Sequence, residues 1–411
     1  MRGIQNIVFI FLVLTFVLPV QSPGITGFRY VEESNKQGSE EFGILTIESE
    51  DLLDSDPIVL DGDEDFDTQG FPGSGSESDP YIIDGLHINL NETPSSYAIS
   101  VSNTMSYFVI QNCLLQGENY IDNGYNFSSY DGDGIYFESV ANAKIYKNTF
   151  LYTQTGIAIY SSENLTIEEN YFPGVINEYT GVMGMIIGWT ALGTCNNINI
   201  TSNTLENCDG GIRCEFGVNY NISDNVLVNS SGIRMNWINQ SVIMRNFVEN
   251  GGYGISMQGV HSNLITENNL TRCRSTGIYV ISGFNCTVHQ NICTENGISL
   301  ERGSEGGITT YGSHINVTWN SLIDNIRNAL DGGEDNVFEY NYWSDYNGTD
   351  ANGDEIGDVP YEIPGTAQNT DPFPRGPFVT PEPDMSLFIL VGIGALGAVV
   401  IIVVVLFIRK K

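Results

Sequence analysis

Apolar residues recur in short alternating runs about 22 positions apart, rather than in helix-length stripes. Residues 231–248 read SGIRMNWINQSVIMRNFV, 253–270 read YGISMQGVHSNLITENNL and 276–293 read TGIYVISGFNCTVHQNIC. Each segment opens on Gly-Ile, alternates apolar with polar residues, and reaches an Asn 14 positions after the Gly: Gly232 to Asn246, Gly254 to Asn268, Gly277 to Asn291. A period of two predicts strands, and no copy has room for an amphipathic helix. The Asn column runs through Asn112, Asn148, Asn170, Asn203, Asn225, Asn246, Asn268, Asn291, Asn320 and Asn341. Beside it runs a Gly column at 134, 156, 184, 211, 232, 254, 277 and 307. A fixed period of this size means stacked coils, that is, a solenoid.

Two solenoids compete. LTIEEN (165–170) is leucine-rich-repeat-like, but that fold needs a helical or turn-rich return arm. Here the return arm is GIAI, GIRM, GISM or GIYV, which alternates as a strand does. The pattern therefore predicts an all-β fold, a right-handed parallel β-helix of about eleven coils. Gly is expected at one tight corner, for its access to positive φ. Asn is expected in the left-handed conformation at a second corner, its amide bonded to the Asn amides above and below.

The GIxΦ…IxxN coils (Φ apolar) resemble the repeats of NosD-like proteins and of the wider class of carbohydrate-binding and sugar-hydrolase β-helices. GSGSESDPYIIDGLHI (73–88) is similar to the opening segment of many such surface proteins, and NYWSDYNGTDANGDEIGDVPYEIPG (341–365) to the segment that closes NosD-like helices. The resemblance spans about residues 57–365. It implies a right-handed β-helix and, in its usual role, periplasmic copper maturation. The four histidines, at 87, 261, 289 and 314, have no ligand spacing and no Met/His cluster accompanies them, so the residues do not support copper. Nor do they carry the signatures of β-helix hydrolases or lyases: GHG and RIK are missing, and the NTD at 369–371 lies beyond the coils.

Both ends change the picture. Arg2 and an apolar run read as a secretory signal peptide over residues 1–22. An N-terminal segment follows at 23–56, then the β-helix at 57–366 and a Pro-rich linker at 367–385. Residues 386–408 are long enough to cross a bilayer once as a helix, and the basic tail 409–411 predicts a cytoplasmic C-terminus with the rest outside the cell membrane. Net charge is −34, which excludes nucleic acid as a partner. Eleven N-x-S/T sequons make surface glycosylation an expectation. The seven cysteines are irregularly spaced without a CxxC pair, which leaves buried thiols or a disulfide or two.

Candidate chemistry sits where the repeat is interrupted. Three connections, 112–134, 170–184 and 291–307, are longer than the others and border the GIxΦ strand. They carry Tyr125, Tyr130, Asp131, Asp133 and Tyr179. Aromatic faces stack on sugar rings and carboxylates bond hydroxyls, so these residues are candidate ligand contacts. Outward positions of the same strand add Arg213, Arg234 and Glu215, with an ion pair as the structural alternative. Asp350, Asn352, Asp354 and Asp358 alternate through DANGDEIGD as oxygen ligands for Ca²⁺ would. The reading is a membrane-anchored surface protein with a binding or structural role toward a glycan or a neighbouring envelope protein. The alternative is a polysaccharide lyase, epimerase or glycoside hydrolase.

Overall fold

The computed structural model describes residues 52–117, 132–174, 183–189, 193–297 and 306–376, with three two-residue strands near the chain's ends. Residues 52–376 form a parallel β-helix. One sheet holds 12 strands and the other 21, every pairing within them parallel. The larger sheet supplies two faces, because the long strand Ile212–Ser223 pairs with Ile233–Asn239 by its first half and Val242–Met244 by its second. The first face carries the GIxΦ strands, the second those ending at the Asn column, and the third is the 12-stranded sheet.

Alternation sends every second residue inward, where it stacks on its equivalents. Ile135, Ile157, Met185, Ile212, Ile233, Ile255, Ile278 and Ile308 line the first face in register, all buried. Ile145, Ile167, Ile200, Ile222, Ile243 and Ile265 do so on the second. Each buried aliphatic side chain contributes roughly 1.5–3 kcal/mol. A lid covers each end of this core. The helix Glu64–Thr68 lays Phe66 over Tyr81 and Phe108, with ring centroids 4.7 and 5.1 Å away. At the other end Trp343 stacks on Tyr361 at 4.0 Å.

The Asn column is a buried amide ladder, with two corrections to its expected form. From Asn148 to Asn320, the peptide N–H and side-chain amide of each Asn donate to Oδ1 of the next; for Asn268 and Asn291 the distances are 3.0 and 2.9 Å. The left-handed residue is not the Asn but its predecessor: Lys147, Glu169, Ser202, Asp224, Arg245, Glu267, Gln290, Trp319 and Tyr340 all have φ between 52° and 60°. The corner turns on that residue and aims the following side chain inward. Asn112 falls on the left-handed position (φ 54°), outside the ladder, and bonds Asp84 at 2.8 Å. Cys113 takes the inward place, its N–H donating to Asn148 Oδ1.

The Gly column is also explained differently. Only Gly211 and Gly232 have positive φ. The others avoid a collision: a Cβ on Gly134 would lie 2.4 Å from the Gly156 carbonyl oxygen, and on Gly156 2.4 Å from the Phe172 ring. The coil is so flat there that only a hydrogen fits between neighbouring turns.

The last ordered turn reaches past the expected linker boundary. Thr370–Asp371 pairs antiparallel with Tyr361–Glu362, and Arg375 bonds backbone-to-backbone with Asn341 and Trp343, so residues 367–376 belong to the closing cap. All seven cysteines are buried and free. Burial pushes the thiols of Cys113, Cys208 and Cys273 up to about 12.

The chain's ends form a separate unit. Its described residues, Thr15–Phe16, Gly392–Ile393 and Val400–Ile401, pair as a small antiparallel sheet. Four residues of the run expected to be helical are thus extended. The rest of the expected signal peptide and spanning segment lies outside the described residues. No described helix is long and apolar enough to cross a membrane.

Candidate functional site

The first face carries aromatic and charged side chains toward each of two ends, with Ala158 and Ile186 at the outward register positions between Tyr136 and Arg213. Tyr97, Tyr136 and Tyr160 stand on three successive strands, with ring centroids 4.4 and 5.7 Å apart. The Tyr136 hydroxyl donates to Glu138 Oε2 at 2.9 Å. Further along, Arg213 lies against the Trp189 ring, its guanidinium carbon 4.9 Å from the centroid. Glu215 Oε1 accepts from Arg213 Nε at 2.7 Å and Nη2 at 2.6 Å, and from Asn236 Nδ2 at 3.0 Å. Arg234 is the register partner of Arg213 on the next strand and is exposed.

Asp133 closes the other end. It is 7% exposed, and Thr155 donates its backbone N–H to Oδ1 at 2.8 Å. Burial pushes its carboxyl up to about 6, against the lowering effect of the Thr155 bonds. Tyr160 is raised to about 12, by burial first and then by the charge of Asp133, with Arg213 acting in the opposite direction. Tyr97 is raised by burial and by the charges of Asp133 and Glu138. These mutual effects place the phenols and carboxylates in one electrostatic neighbourhood.

Of the residues singled out from sequence, Asp133, Arg213, Arg234 and Glu215 thus lie on one face. Tyr125, Tyr130, Asp131 and Tyr179 lie outside the described residues. The long connections that contain them, and the one at 298–305, each join a third-face strand to a first-face strand: Leu114–Gln116 to Asp133–Val140, Tyr171–Pro173 to Met183–Ile187, Ile292–Thr294 to Gly306–Ser313. Sequence reasoning passed over Tyr97, Trp189 and Asn236 as site residues. Tyr97 precedes the first clear repeat, Trp189 lies in an interrupted coil, and Asn236 becomes significant only through its bond to Glu215.

The acidic turn near the C-terminal end is held by its own backbone. Asp350 accepts N–H bonds from Gly353, Asp354 and Glu355 at 2.8, 3.2 and 3.0 Å. Asn352 donates to Asp354 at 2.9 Å, while Asp358 turns to Thr349 and Ala351. Among the described residues no three His, Cys, Asp or Glu side chains converge as a metal site. The histidines are dispersed: His87 bonds Asp54, His289 bonds Thr318, and His261 and His314 flank the Phe284 ring.

Residues 188–353 match the model of a family described as the periplasmic copper-binding protein NosD. The match spans less than half of the chain and lies wholly within the solenoid, which is a NosD-like parallel β-helix. The copper in that description is said of the family's namesake. A comparison with curated proteins gives no match. Among solved structures the chain is similar to the DFA-IIIase of Arthrobacter chlorophenolicus A6 in complex with GF2, at 14% identity over 63% of this chain and 70% of that one, with a TM-score of 0.46. It is also similar to the Dettilon tailspike protein gp208, at 14% identity over 72% and 59% with a TM-score of 0.42. A hyperthermoactive exopolygalacturonase from Thermotoga maritima gives 10% identity over 74% and 75%, with a TM-score of 0.36. These values carry no argument about what this chain does.

Proposed function

We propose that this protein binds a glycan along the first face of its β-helix. The row of Tyr97, Tyr136 and Tyr160 with Glu138, Trp189 and Glu215 carries this reading. Rings offer flat apolar surface to the faces of sugars, and the part-exposed carboxylate of Glu138 accepts from hydroxyls, while Glu215, itself bonded by Asn236, holds Arg213 from beneath. From the Tyr97 strand to the Arg234 strand are five steps of about 4.8 Å, a length suited to several sugar units in a line. The right-handed sense of the coil follows from the strong preference of parallel crossovers. Glycan-array screening of the full chain in detergent tests the reading. Tyr136→Ala with Tyr160→Ala is expected to abolish any hit while leaving the unfolding midpoint within a few degrees.

A second reading, catalysis, is favoured by one observation. Asp133 is held near 6 in the same neighbourhood as the more exposed Glu138. Carboxyl groups in contrasting environments are what acid–base chemistry on a glycosidic bond requires. Product analysis of any bound oligosaccharide separates the two: turnover that Asp133→Asn removes without loss of binding makes the protein an enzyme.

The apolar run at 386–408, followed by Arg409, Lys410 and Lys411, supports anchoring in a membrane with the β-helix outside. Release of the chain from membranes by alkaline carbonate would remove that proposal. The oxygen-bearing side chains of the acidic turn support Ca²⁺ as a stabiliser of the closing segment, with Asp358 swinging in to join Asp350 and Asp354.

A further inference from the structure

We propose that the glycan carries carboxylate groups and that Arg234, with Arg213, reads them. The proposal rests on the binding reading above and names its ligand class. The chain has 16 basic residues against 50 acidic ones. Two of those 16 stand directly in register on adjacent strands of the candidate face. Like charges at that spacing repel unless anions offset them. Glu215 offsets one: it accepts from Arg213 Nε and Nη2 and is further fixed by Asn236. Arg234 is exposed, and among the described residues it makes no ion pair.

What surrounds Arg234 suits a sugar acid rather than a bare ion. Its register neighbour on the far side is Ser256, and Asn236 and Gln258 stand two residues along on the same strands. The Ser256 hydroxyl and the Gln258 amide bond sugar hydroxyls, while the guanidinium fork matches a carboxylate in two parallel bonds. Trp189 against Arg213 gives this end a flat aromatic surface of its own. The face is also polarised. Glu138 lies four strands from Arg234, about 19 Å at the strand spacing and beyond a physiological Debye length. The carboxylates at one end therefore do not cancel the cationic end.

The probes are oligomers of mannuronate, guluronate and galacturonate beside the matching neutral hexose oligomers. They are titrated by calorimetry into the full chain at low and high NaCl. The expected result is uronate binding at least tenfold tighter than neutral binding, weakened by salt. Arg234→Gln, at an exposed position, is expected to lower uronate affinity about tenfold, flatten the salt dependence, and leave neutral oligomers unchanged. Neutral and acidic oligomers binding alike, or Arg234→Gln weakening both equally, would overturn this inference and leave glycan binding standing. Failure of every oligomer to bind would overturn the binding reading, and the inference with it.

Discussion

Asp371 terminates the amide ladder by accepting from Asn341. Its Oδ2 lies 3.0 Å from the Asn341 backbone nitrogen, 3.1 Å from Nδ2, and 3.1 Å from the Trp343 indole nitrogen. A carboxylate accepts without needing to donate, whereas another Asn would carry an N–H₂ with no further coil to receive it. Asp371→Ala leaves several buried donors unpaired and should cost on the order of 3 kcal/mol; Asp371→Asn should cost less. Chemical unfolding measures both. Equal midpoints for wild type and Asp371→Ala would show that the ladder ends elsewhere.

The ladder and its flanking left-handed column make different predictions for the asparagines they contain. Asn268 donates to Ile243 O, Thr266 O and Asn291 Oδ1, and accepts twice from Asn246, all in the buried interior. Asn268→Ala should destabilise by about 1–3 kcal/mol. Asn112→Gly, which loses one exposed bond to Asp84 but keeps a residue at home in the left-handed conformation, should stay within about 1 kcal/mol of wild type. A larger effect at Asn112 than at Asn268 would reverse the assignment of inward and outward residues.

Asp133 makes stability depend on pH in the direction opposite to a salt-bridged aspartate. Its folded pKa stands at about 6, above the ordinary 3.8, because burial disfavours the charge. Below 3.8 it is protonated folded or unfolded and costs nothing. As pH rises toward 6 the unfolded chain ionises while the folded site resists, so stability falls across this window, by about 3 kcal/mol once complete. Asp133→Asn keeps the acceptor for Thr155 and should remove this fall. Unfolding midpoints measured from pH 4 to 7 for both proteins give the comparison; parallel curves would mean Asp133 is not the group responsible.

Calcium is checked at the acidic turn by thermal unfolding in EDTA and in millimolar Ca²⁺. At 100 times its Kd the ion would add about 2.7 kcal/mol. A shift to higher temperature is expected, and Asp350→Ala with Asp354→Ala should abolish it. No shift in the wild type would leave the turn as one closed by its own backbone amides.

The repeat was legible because its period sets which residues stack, and stacking is what the core consists of. The errors were of one residue or of mechanism. At each corner the left-handed residue and the inward one are adjacent, and Asn suits either place, so Asn112 and Cys113 could not be told apart by spacing. Glycine serves both positive φ and close approach; only the carbonyl of Gly156 and the ring of Phe150 show which one Gly134 serves. Asp371 was invisible because a terminator occurs once and has no period. The site was partly legible: outward columns identify Arg213, Arg234 and Glu215, but Tyr97 meets Tyr136 only because the intervening chain makes a full turn.

The ladder also has a direction. Each rung's peptide N–H and one amide N–H give toward the next coil, the other amide N–H gives back to a backbone carbonyl of the coil before, and each Oδ1 receives from that earlier coil. A coil inserted whole between two others finds the donors and the acceptor it needs already in place, so the molecule's length can change in steps of one turn. Extra residues within a turn cannot be absorbed inside and must leave at a corner, and the chain's longer connections do fall between strands of different faces, Gln116 to Asp133 and Pro173 to Met183. Reach and recognition can therefore vary independently: turns set how far the row extends, and corners set what stands beside it.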